Sequence, residues 1–155
     1  MDQGADIIVT PPEGGRPELV VEVKARGDIE AAMGQLKRYM QWVGAPFGLL
    51  VVGSTIRLLR ETYRESGLES IKTLGDYRTD AIDALRPPDP TAMPHADLEF
   101  EARVQDWLES LGDPSYAESL PEDLRAAVRE HLAPIIQSGI VRAAGPRARR
   151  MISRA

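Results

Sequence analysis

Polar and apolar positions along the chain follow two periods, and the switches between them mark the elements. Asp6-Ile7-Ile8-Val9-Thr10 and Leu19 to Lys24 are β-branched runs of strand length, joined by the turn-rich Pro11-Pro12-Glu13-Gly14-Gly15-Arg16-Pro17. That arrangement predicts a hairpin. If it closes symmetrically about Gly14, opposed residue numbers sum to 28, so Asp6 faces Glu22 and Ile8 faces Val20. From Asp28 the period lengthens: Ile29, Met33, Leu36, Met40 and Val43 recur at steps of four and three, behind a capping aspartate and ahead of Gly44-Ala45-Pro46. This is a helix burying one stripe. Phe47 to Val52 is short and apolar on both faces, as a covered strand in a parallel pairing should be, and Gly53-Ser54 turns the chain into Thr55 to Arg60. Strand, helix and strand in this order predict a crossover and an α/β mixed sheet flanked by helices.

The pattern weakens after Tyr63, with a short helix expected over Asp76 to Leu85. Pro87-Pro88-Asp89-Pro90 opens a linker, placed at 87–94. It divides a core at 1–86 from a helical C-terminal half at 95–155. In that half Phe100, Val104, Trp107, Leu108 and Leu111 share one helical face, and Leu124, Val128, Leu132 and Ile135 share another, with Pro134 kinking the second helix near its end.

Composition narrows the function. The 155 residues are 43% apolar, enough to bury a core, and include no cysteine, which removes disulfides, thiolate metal sites and thiol nucleophiles. The two histidines, His95 and His131, are too far apart to hold a metal alone, so any metal must sit on oxygen ligands. No apolar run approaches the roughly 20 residues of a membrane span, and no signal peptide is visible, so the expected location is cytoplasmic. The net charge of −5 hides an uneven distribution: residues 87–139 carry 3 basic and 11 acidic side chains, whereas residues 140–155 carry five arginines and no acid. Arg142, Arg147, Arg149, Arg150 and Arg154 form either a solvated tail or a phosphate-seeking one.

Candidate chemistry gathers on the hairpin. Strand period puts Glu22 and Lys24 on one face, and the hairpin register adds Asp6 to it. Two carboxylates about 5 Å apart repel by roughly 3 kcal/mol at an effective dielectric of about 20, a cost no packing need explains. One or two carboxylates, completed by waters and substrate phosphate oxygens, are the ligand set of Mg²⁺. A lysine beside them is placed to orient or deprotonate an attacking water, or to stabilise charge on a phosphoryl group. On the following helix Ala31, Ala32, Gln35, Tyr39 and Trp42 line a stripe beside the apolar face, and Gln35 and Tyr39 point the same way.

An aspartate, a turn, Glu22-Val23-Lys24 on a strand, a helix with Gln35-x-x-x-Tyr39 and an apolar strand together resemble the PD-(D/E)XK nuclease superfamily, in its Gln-x-x-x-Tyr branch, over residues 5–60. The resemblance implies a restriction-endonuclease-like fold and a metal-dependent deoxyribonuclease, a hydrolase acting on DNA phosphodiester bonds. It implies Mg²⁺, with Mn²⁺ able to substitute, on Asp6, Glu22 and Val23. Lys24 would be the catalytic lysine, and Gln35 and Tyr39 supporting residues. The other function class is a catalytically inactive module of the same fold that binds DNA or protein.

The chain departs from the family at its start. Members usually begin with a helix, often bearing an acidic residue, and a strand, whereas five residues precede Asp6. The helix with Glu99, Glu101, Val104, Trp107 and Leu111 reads as that helix displaced. It would pack in cis or exchange across a homodimer, which is the expected assembly.

Overall fold

Six strands hydrogen-bond into one mixed sheet in the computed structural model, which describes residues 4–92, 94–145, 147 and 148. In chain order they are β1 (Ile7–Thr10), β2 (Leu19–Lys24), β3 (Phe47–Val52), β4 (Thr55–Glu61), β5 (Ile71–Arg78) and β6 (Ile140–Ala143); across the sheet they run β5-β4-β3-β2-β1-β6. β2 and β3 are parallel, joined through helix α1 (Ile29–Val43), and every other pairing is antiparallel. The hairpin closes in the register the sequence predicts, with Ile7 opposite Val21, Ile8 opposite Val20 and Val9 opposite Leu19.

Helices cover both sides of the sheet. On one, Ala32, Leu36 and Met40 of α1 bury against Val20, Leu50, Val52 and Leu59. Asp28 caps α1, its Oδ1 accepting the Glu30 N–H at 2.9 Å, and Arg57 of β4 ties the first turn to the sheet by pairing with Glu30 and with Asp76 of β5. On the other side Ile7, Val9, Val21, Val23, Leu49 and Val51 pack with Phe100, Val104, Trp107 and Leu108 of α2 (Ala96–Ser110). The same cluster takes in α3 (Pro114–Glu118), α4 (Glu122–Ala127) and α5 (Ala133–Ser138), so residues before and after the 87–94 stretch share one core. Among the described residues no helix is long and apolar enough to cross a membrane.

Two local expectations are corrected and a third is refined. The helix expected over Asp76 to Leu85 is instead the end of β5 and a 3-10 turn at Asp83–Leu85. β5 is an edge strand with Lys72, Thr73, Leu74, Asp76 and Arg78 exposed, so no alternation announces it; its ladder to β4 defines it. The C-terminal half is not wholly helical either, because β6 pairs along β1 and leaves β1 inside the sheet rather than at its edge. Finally, Leu124, Val128 and Leu132 are buried as their spacing predicts, but a π turn at Val128–Leu132 separates α4 from α5 just before Pro134. The wider turn accommodates a residue that has no N–H to donate and a ring that would clash with the turn before it.

Gly139 makes the junction from α5 into β6 possible. A Cβ there would stand 2.8 Å from the Ile135 carbonyl oxygen and 2.9 Å from that of Thr10, and neither backbone can recede without breaking its own element. Gly139→Ala is therefore expected to cost about 1–3 kcal/mol in urea melts, as overpacking does; an unchanged midpoint would mean β6 is not docked along β1.

Candidate active site

Asp6 sits one residue before β1, where three backbone segments meet. Its N–H donates to the Val21 carbonyl at 2.9 Å, and its own carbonyl accepts the Ala144 N–H at 2.9 Å. Its carboxylate stays at the strand end as well, Oδ2 accepting the Val23 N–H at 2.7 Å. The N–H and C=O of one strand residue point to the same side, so the Val23 carbonyl is directed toward Asp6, beyond the last rung of the β1 ladder.

Glu22 and Lys24 follow on the β2 face shared with Val20. Glu22 is only 8% exposed, and its Oε2 is buried with no hydrogen-bond partner. Burial, then the neighbouring Asp6 charge, push its carboxyl up to about 7, with Lys24 pulling the other way. Burial also raises Asp6, against the Val23 N–H and Lys24, which both favour its charged form. The two acids and the lysine therefore stand close enough to feel one another, as strand period and register predict.

Helix α2 brings three more polar groups to this end of the sheet from Asp97, Glu101 and Gln105, spaced four apart on one face. Asp97 Oδ1 accepts the Ala25 N–H at 2.7 Å and so pins the start of α2 to the end of β2. Glu101 is 4% exposed, and its Oε1 has no hydrogen-bond partner. Its carboxyl is pushed up to about 8 by burial and then by Asp6, against Arg147 and Lys24. Arg147 approaches Glu101 Oε1 to 3.7 Å and donates to Gln105 Oε1. Beside Asp97 a cleft of about 360 Å³ opens between Arg26, Pro90, Pro94 and His95.

Sequence reasoning singled out the helix of Glu101 but not Asp97, Gln105 or the place of Arg147. The four-residue spacing of the first two with Glu101 was legible; the return of Arg147 to the β1–β2 end was not.

No protein-family model, no curated protein and no solved structure matches this chain.

Gln35 and Tyr39 behave differently from the hairpin residues. Gln35 is exposed, while Tyr39 is half-buried on the α1 side of the core, with Trp42 edge-on at 6.0 Å between ring centroids. Among the described residues no hydrogen bond or ion pair ties either to Asp6, Glu22 or Lys24. Of the C-terminal arginines, Arg142 donates to Thr10 Oγ1 at 3.2 Å across the β1–β6 pair, a structural contact. Arg149, Arg150 and Arg154 lie outside the described residues.

Among the described residues no three histidine or carboxylate side chains stand together as a ready-made metal cage. Mg²⁺ does not need one, since it keeps several waters and takes one or two carboxylates. A buried carboxylate oxygen without a donor, such as Glu22 Oε2, is costly unless a proton or a cation meets it. Asp6, Glu22 and the Val23 carbonyl are hard oxygen donors suited to Mg²⁺ or Mn²⁺.

Proposed function

We propose that the chain is a Mg²⁺-dependent nuclease that hydrolyses DNA phosphodiester bonds, built on a restriction-endonuclease-like core of the PD-(D/E)XK type. The observation that carries this is the buried, unpartnered Glu22 Oε2 beside Asp6 and Lys24 at the end of the hairpin. Mutual repulsion makes that grouping a liability to a protein without a cation to hold. The bound ion would polarise the phosphate and lower the pKa of a bound water. Lys24 orients that water or meets the negative charge growing on the phosphoryl oxygens. Arg26, on the wall of the cleft beside Asp97, adds a positive charge next to this end of the sheet for a phosphate backbone to meet.

The placement of α2 and β6 supports the same proposal. The family's leading acidic helix and first strand have counterparts here in α2, which carries Glu101 over β2, and β6, which lies along β1. Both arrive from the C-terminal side of the chain, so the proposal takes them as the family's leading elements in permuted order. Because α2 covers the sheet of its own chain, and one chain supplies every side chain named above, the proposal needs no second copy. Gln35 and Tyr39 carry no step in it.

Nicking of supercoiled plasmid DNA tests the assignment. Cleavage is expected in Mg²⁺ or Mn²⁺, with retention but little turnover in Ca²⁺ and none in EDTA. Cleavage that persists in EDTA would overturn the metal mechanism; DNA retained but never cut in either metal would favour the inactive binding module.

A further inference from the structure

The carboxylates at the end of the sheet fall into two groups, and a fixed cation is built into one of them. Asp6 and Glu22 lie at the β1–β2 end with Lys24. Glu101, on α2, lies against Arg147, whose Nε is 3.7 Å from Glu101 Oε1 and whose Nη2 donates to Gln105 Oε1. The pair is sunk in the protein: the Arg147 side chain is 16% exposed and that of Glu101 5%.

The backbone delivers Arg147 there. The Ala144 N–H donates to the Asp6 carbonyl, which carries the β1–β6 pairing one step past the strands. Gly145 then turns at φ +67°, where a Cβ would stand 3.3 Å from the Ala5 carbonyl oxygen and 4.0 Å from Asp6 Oδ1. Two residues later the guanidinium meets Glu101.

We propose that Arg147 occupies a cation's place beside Glu101, so that the site takes a single divalent ion on Asp6, Glu22 and the Val23 carbonyl while Glu101 ligates none. This rests on the nuclease assignment above and specifies the metal count of that site. A guanidinium cannot shed its proton to make way for a metal. A second ion at Glu101 would have to displace it and leave a buried cation without its acidic partner, which is a heavily penalised state. Gln105 adds a second hold, since its amide oxygen accepts from the neighbouring Nη2 of the same guanidinium.

Titration of the metal-free full chain with Mn²⁺, followed by calorimetry and by the electron paramagnetic resonance of the free ion, tests this without DNA. Wild type and Arg147→Lys are expected to bind one Mn²⁺ per chain, and Arg147→Gln two. Glu101→Gln should still take up one Mn²⁺ per chain, because Glu101 is not a ligand. Two ions in wild type, one in a folded Arg147→Gln, or loss of Mn²⁺ from Glu101→Gln would each overturn the proposal; the wild-type count decides even if a variant fails to fold. A wild type that takes no Mn²⁺ at all would sink the nuclease assignment along with it, whereas two ions would leave that assignment standing.

Discussion

Lys24→Ala is expected to lower DNA cleavage in Mg²⁺ on the order of 10³-fold, the range in which a positioned proton-transfer or charge-stabilising group acts. The side chain is half-buried at the end of β2, and its charge is felt by Asp6, Glu22 and Glu101 together. Its removal therefore deletes the one lysine in the carboxylate cluster while leaving the Leu19–Val23 packing in place. Single-turnover rates on plasmid DNA, with circular dichroism to show that the fold is kept, measure the effect. A variant that cuts at the wild-type rate would remove Lys24 from the chemistry and leave cleavage to the metal and its carboxylates.

The second large effect is on stability, and its sign follows from the direction of the pKa shifts. Glu22 is raised from 4.5 to about 7, mainly by burial, and Glu101 to about 8. Below the unfolded value both states hold the proton, and the burial of these groups is at its least costly. As pH rises through 4.5 the unfolded chain ionises them freely while the folded chain does not, so stability falls until the folded values are passed. For Glu22 alone the loss by pH 8 is on the order of 2–3 kcal/mol.

Glu22→Gln removes this liability. In EDTA at pH 8 the variant should melt several degrees above wild type, and at pH 4.5 the two should coincide. Mg²⁺ should raise the wild-type melting temperature at pH 8 and do little for the variant. If Glu22→Gln is instead destabilised at pH 8, the carboxylate is a partner of a positive group and not a held-open ligand.

How much of the molecule is legible in its sequence varies with the range of the interactions. The hairpin, its register, the caps of α1 and the covered strand β3 are written in residues within about one element of each other. Prolines and glycines bend the connector, Asp28 supplies an acceptor for a free N–H, and a period of two or 3.6 states which face is buried. Since the register also brings Asp6 to Glu22 and Lys24, half of the candidate site is legible from strand period and turn chemistry.

The other half is not. Periodicity states that Phe100, Val104, Trp107 and Leu108 are covered, but not by what; only the packed sheet decides that α2 lies over β2 and carries Asp97, Glu101 and Gln105 to the site. β5 and β6 are edge strands whose polar or brief sequences have no period of their own, and they exist because β4 and β1 offer unpaired N–H and C=O groups. Arg142 and Thr10 meet across 132 residues of chain, and no local signal spans such a separation. Arg147 owes its place beside Glu101 to that same pairing. Local sequence therefore specifies which side chains form the hairpin cluster and on which face they stand. What encloses them is left to the packed fold, because enclosure is set by surfaces that meet only after the chain has folded back on itself.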